Sequence, residues 1–125
     1  MSRKLLIIAA SHMAFAVGER EHSWKISERT GITVPQQIEA LTPYVQLAFD
    51  MVEVGEGIGM KKPNNVNRNV YYEFGDDFAR FIRNEGRLPT EEEGKALLIN
   101  TVTQAFGEVL NRDQMINLAK KLKEM

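Results

Sequence analysis

From Tyr71 to Leu122 the apolar residues recur at helical spacing, and Gly-Pro punctuation separates one stripe from the next. Tyr71, Phe74, Phe78, Phe81 and Ile82 share one face, with Gly75 weakening its middle. Gly86 ends that helix and Pro89 prevents its resumption. Thr90-Glu91-Glu92-Glu93 then reads as a capping box, in which the Thr90 hydroxyl accepts from the Glu93 N–H and the Glu93 carboxylate reaches back. Three acids in a first turn also suit the helix dipole. Leu98, Val102, Ala105, Phe106 and Val109 make the next buried face. Asn111 caps a last helix with Met115, Leu118, Ala119 and Leu122 inward, and Lys120, Lys121 and Lys123 at its favoured C-terminal end. A chain patterned this way over residues 70–125 must fold as packed helices, because each stripe needs a partner to bury it.

The 125 residues suffice for one domain. Sixteen Lys and Arg face seventeen Asp and Glu, a net charge of −1. That balance excludes a protein that holds nucleic acid by bulk electrostatics alone. Hydrophobic and charged fractions of 43% and 26% exclude wholesale disorder and a collagen-like fibre. With no Cys, a disulfide framework, thiol catalysis and a Cys-built zinc site are excluded, and two His leave little for a histidine metal centre. There are no internal repeats or low-complexity tracts.

Residues 1–17 are the most apolar part of the chain. Arg3-Lys4, the run Leu5–Ala10 and Ala14-Phe15-Ala16 have the outline of a secretory signal peptide. The unbroken run falls short of the roughly 7–15 residues of a signal core, so a buried helix or strand of the domain is the competing reading. It is also too short for a membrane span. Further on, Trp24–Thr30 fits a short helix with Trp24 and Ile26 inward. Thr42-Pro43 reads as a helix start, with Val45, Ala48, Phe49 and Val52 on one face and Gly55 as its stop. Gly55–Asn69 carries three glycines, Pro63 and four asparagines, and reads as a flexible loop in which Lys61, Lys62 and Arg68 outweigh Glu56. Val52–Val54 and Val70–Tyr72 are β-compatible, which leaves room for a small hairpin across 52–72.

Ile26 to Leu41, within a segment spanning 24–41, resembles a helix-turn-helix. Ile26 anchors the first helix, small Ser27 lets helices cross, Gly31 supplies a positive-φ turn and Ile32 plugs the core. Ile38 and Leu41 hold the second helix down, one place later than the usual spacing, which falls on Gln37. Thr33, Gln36, Gln37 and Glu39 then face outward, and Gln can pair bidentately with adenine. The resemblance implies base contacts from Thr33, Gln36 and Gln37 and phosphate contacts from Arg29. A neighbouring basic loop adds Lys61, Lys62 and Arg68 to the phosphate contacts. The competing reading is a plain helical corner with the same glycine turn.

Catalytic constellations are thin. Glu19 and His22 form a lone E-x-x-H pair where di-metal bundles need two. Ser11-His12 are neighbours in sequence, unlike a nucleophile and its base, and His12 reads as a core or boundary residue. Asp76-Asp77 read as helix-start caps. Gly55 to Gly59 match neither a dinucleotide fingerprint nor a P-loop.

The sequence therefore predicts a mainly α single domain over 1–125, a bundle of about five or six short helices. The function it predicts is a DNA-binding regulator, dimeric through its C-terminal helices and acting on double-stranded DNA in the cytoplasm. The alternative is a non-catalytic helical protein–protein module: an assembly component, adaptor or inhibitor. An exported form follows if residues 1–16 are cleaved. No enzyme activity, metal, small-molecule cofactor or membrane partner is expected.

Overall fold

Thr33 starts the longest helix. Its hydroxyl accepts from the Gln36 N–H at 3.2 Å, and the Gln36 side-chain oxygen accepts from the Thr33 N–H at 2.8 Å, a complete capping box. Pro35 sits in the first turn, where a missing N–H leaves no bond unmade. The computed structural model describes residues 6–7, 9–13, 15, 23–58, 66–107 and 109–125. Helical residues 6–7, 9–13 and 15 form α1. They are followed by α2 (Ser23–Thr30), α3 (Val34–Glu56), α4 (Val66–Glu85), α5 (Glu91–Phe106) and α6 (Arg112–Lys123). Among the described residues there is no strand, and the fold is mainly α, as the stripes require.

Three boundaries differ from the sequence expectation. Thr42-Pro43 lies inside α3, because the Thr33 cap upstream already satisfies the orphan donors of a first turn. Pro43 has no N–H for the Glu39 carbonyl, while the Thr42 hydroxyl donates to the Ile38 carbonyl at 2.9 Å. Gly55 does not stop the helix either. A Cβ there would lie 2.5 Å from Phe106 Cζ, so Gly55 is the seat of an aromatic ring. The residues considered for a hairpin, Val52–Val54 and Val70–Tyr72, are helical, since Val52 and Val70 are buried on helical faces and tertiary burial overrides β propensity. Asn67, Arg68 and Asn69 likewise belong to α4, so both ends of the loop expected over 55–69 are helical, and residues 59–65 lie outside the described residues.

The C-terminal half follows its pattern closely. Gly86, at φ +69°, ends α4 and donates to the Ile82 carbonyl at 2.8 Å. Thr90 with Glu93 and Asn111 with Gln114 make capping boxes on α5 and α6. Val109 leaves its stripe and is exposed, because α5 ends at Phe106 with Gly107 as its cap. Helix α5 packs against α3, α4 and α6 and carries Leu98, Val102 and Phe106 into the core. Tyr44, Phe74 and Phe78 stack in tilted pairs, centroids 5.6 to 6.4 Å apart. In α1, Ala10 and Met13 are fully buried, so this segment is a helix of the domain core, whereas His12 is exposed. Among the described residues no helix is long and apolar enough to cross a membrane.

Asp76 and Asp77 fall mid-way along α4 and are not caps. Arg80 pairs with them at 3.0 and 3.3 Å, and the Thr101 hydroxyl of α5 lies 3.1 Å from the Asp77 carboxylate. Burial pushes the Asp77 carboxyl above its ordinary range, against the opposing pull of Thr101 and Arg80. This cluster ties α4 to α5.

Candidate functional site

The corner between α2 and α3 has the glycine turn expected at Gly31. Gly31 sits at φ +77° and donates to the Ser27 carbonyl at 2.8 Å. The Thr30 hydroxyl donates to the Ile26 carbonyl at 2.7 Å and accepts from the Ile32 N–H at 3.2 Å. Ile26 and Leu41 are buried on either side of the turn.

The outward face differs from the expectation. Gln37, placed outside by the sequence pattern, is 2% exposed, and its amide donates to the Ile32 carbonyl at 3.1 Å. The inward position of the second helix therefore falls at the usual spacing, and Gln37 cannot reach a base edge. Ile38 is half-buried at the edge of the core. Thr33 and Gln36 are exposed, but their polar groups are engaged in the N-cap. Arg29 is exposed in the last turn of α2. Lys61 and Lys62 lie outside the described residues; the Arg68 backbone is helical and its side chain is outside them too. Glu19 and His22 are also outside them. The Ser11 hydroxyl donates to the Ile7 carbonyl at 2.8 Å, one turn back along α1.

What the fold builds on the outer side of α3 is an apolar groove of about 590 Å³. Leu6 and Ile7 of α1 form one wall; Pro35, Ile38, Thr42 and Pro43 form the floor and the other wall, with Glu39 and Gln46 at the rim. Ile7 is 46% exposed there, and Phe15 of α1 is 64% exposed. Among the described residues Glu39 is the one charged side chain of the lining, and Gln46 donates to the Asp50 carboxylate at 3.0 Å. The groove is thus aliphatic with an acidic rim. The sequence hid it because its walls come from helices far apart in the chain and because Thr42-Pro43 reads locally as a helix start.

Pro43 also walls a second recess of about 480 Å³, lined by Ala40, Tyr44, Leu47, Leu88, Glu91 and Lys95. The Tyr44 hydroxyl lies 3.5 Å from the Glu91 carbonyl oxygen, and burial with the nearby Glu91 carboxylate pushes its phenol above the ordinary value. Lys95 donates to the Met125 carbonyl. Among the described residues no group of three His, Asp or Glu is placed to hold a metal ion. Compared with family models, curated proteins and solved structures, the chain matches none.

Proposed function

We propose that this chain is a non-catalytic helical interaction module whose groove between α1 and α3 receives an amphipathic helix with an aliphatic stripe and basic flanks. The observation that carries this reading is the lining: aliphatic side chains and proline rings, with Glu39 as the single charge among the described residues. Helix-in-groove recognition needs such a trough for anchors at i, i+3, i+4 and i+7, and an acidic rim selects a cationic partner by complementarity. The test is fluorescence anisotropy with two labelled helical peptides that share one leucine stripe, one flanked by Lys and the other by Glu. The Lys peptide binds saturably and the Glu peptide at least about tenfold more weakly, a difference of about 1.4 kcal/mol. Pro43→Arg abolishes the binding. Equal binding of both peptides, unaffected by Pro43→Arg, rejects the reading.

A second reading is favoured by one observation, the Gly31 corner with Ile26, Gln37 and Leu41 turned inward. On it the protein is a DNA-binding regulator. Thr33 and Gln36 would reach base edges only by giving up their N-cap bonds, and the phosphate contacts would come from Arg29, Lys61, Lys62 and Arg68. Anisotropy on a randomised duplex pool across a salt series, with the bound fraction sequenced, decides it. An enriched motif with a negative salt slope supports the regulator; no binding at low salt removes it.

A further inference from the structure

We infer that the helix received by the groove is α6 of a second copy of this chain, an inference that rests on the groove reading above. The outward face of α6 supplies the required chemistry. Ile116 is 59% exposed there. Arg112 and Lys120 are exposed one turn to either side of it, and Lys123 lies a further turn on. These four share one stripe at helical spacing. Asp113, at the edge of that stripe, is its single acid. An exposed aliphatic knob in a cationic field is complementary to an aliphatic groove rimmed by Glu39. Burying Ile116 in that groove removes apolar surface from water on both partners. The flanking charges select the orientation more than they add affinity.

Position supports pairing between two copies. Lys95 lines the recess behind Pro43 and its ammonium group donates to the Met125 carbonyl, so the C-terminal end of α6 borders the other side of the groove's own wall. Met125, just past α6, and the helix that lines the groove therefore border one recess on the same molecule. Reciprocal exchange across a two-fold axis then makes two identical contacts and closes as a dimer.

Sedimentation equilibrium on the full chain across a concentration series tests this, with wild type, Pro43→Arg, Ile116→Glu and an equimolar mixture of the two variants. Both substitutions are at exposed positions, and arginine at 43 supplies the backbone N–H that α3 lacks there, so each variant folds; circular dichroism checks it. Wild type dimerises. Each substitution raises the dimer dissociation constant by about 30-fold or more, as expected at the centre of an interface. The mixture regains association, because an intact groove on one variant meets an intact α6 on the other. A wild type that stays monomeric at every concentration overturns the inference, as does a dimer that survives both substitutions. If the wild type is monomeric, the labelled Lys-flanked peptide separates the two failures. Peptide binding leaves the groove reading standing and removes only the second copy; no binding removes both.

Discussion

Glycine meets opposite demands at Gly31 and Gly94. At Gly31 the demand is conformational: φ is +77° and nothing crowds the place of a Cβ. Substitution by Ala there strains the backbone by about 1–2 kcal/mol. At Gly94 the demand is space, because the Tyr44 hydroxyl and ring occupy the volume a methyl group would need. Ala is the better helix former by about 1 kcal/mol. Overpacking nevertheless wins, so Gly94→Ala lowers stability by about 1–3 kcal/mol in urea titrations. Adding Tyr44→Leu removes the clash, and the pair is less than additive. Gly31 was legible in the sequence because its turn is local, whereas the need for Gly94 comes from Tyr44 on another helix. Glu93 offers a pH test. Bonds from Arg87 at 2.7 and 3.0 Å and from the Thr90 N–H at 2.9 Å hold its carboxyl at about 2, below its ordinary 4.5. A lowered carboxyl stabilises the fold above its unfolded value and loses that contribution as pH falls towards the folded one. Melting temperature therefore drops between pH 4.5 and about 2, and Glu93→Gln flattens this segment of the profile.

At the scale of the element, α3 is the helix whose sequence misleads. Its cap at Thr33 and its break signal at Thr42-Pro43 are both genuine local cues. The upstream cap prevails because Leu41, Val45, Ala48, Met51 and Val52 are buried along one continuous helix. Pro43→Ala restores one backbone bond and relieves the ring's clash with the preceding turn. The stiffer unfolded chain that proline provides partly offsets this gain. The expected net effect is a rise of about 1–3 kcal/mol in stability, read from denaturant midpoints, together with weaker peptide binding as the groove loses a wall. Unchanged stability would mean that the Pro43 ring contributes as much packing as the lost bond. The caps of α5 and α6 were legible because a capping box is four residues long. The inward turn of Gln37 was not: polarity placed it outside, while helix geometry and the Ile32 carbonyl drew it in.

Across the whole molecule, α3 touches α2, α4, α5 and α6, and α5 packs in turn against α3, α4 and α6. Phe106 is fully buried at its end and fills the space left open by Gly55 of α3. Phe106→Ala therefore opens a cavity between two helices and costs about 3–5 kcal/mol in denaturant unfolding. Phe81 is only half-buried, with the Arg87 guanidinium 5.2 Å from its ring centroid, so Phe81→Ala costs less. Which stripes are buried could be read from period and composition. Which helix meets which could not, because seats such as Gly55 and Gly94 are defined by a partner's side chain. For the same reason the corner resembling a helix-turn-helix was visible in Ile26–Leu41, while the groove beside it appeared only once α1 had docked.

Pro43 also bears on how the molecule breathes. It contributes no amide proton, and the Glu39 carbonyl lacks its usual donor one turn on. Helix α3 therefore has a seam, and amide hydrogen exchange resolves it into two protected blocks that open separately. Both recesses are built across that seam. A bound partner in either one splices the blocks, so occupancy slows exchange on both sides of Pro43, including at amides that touch no ligand atom.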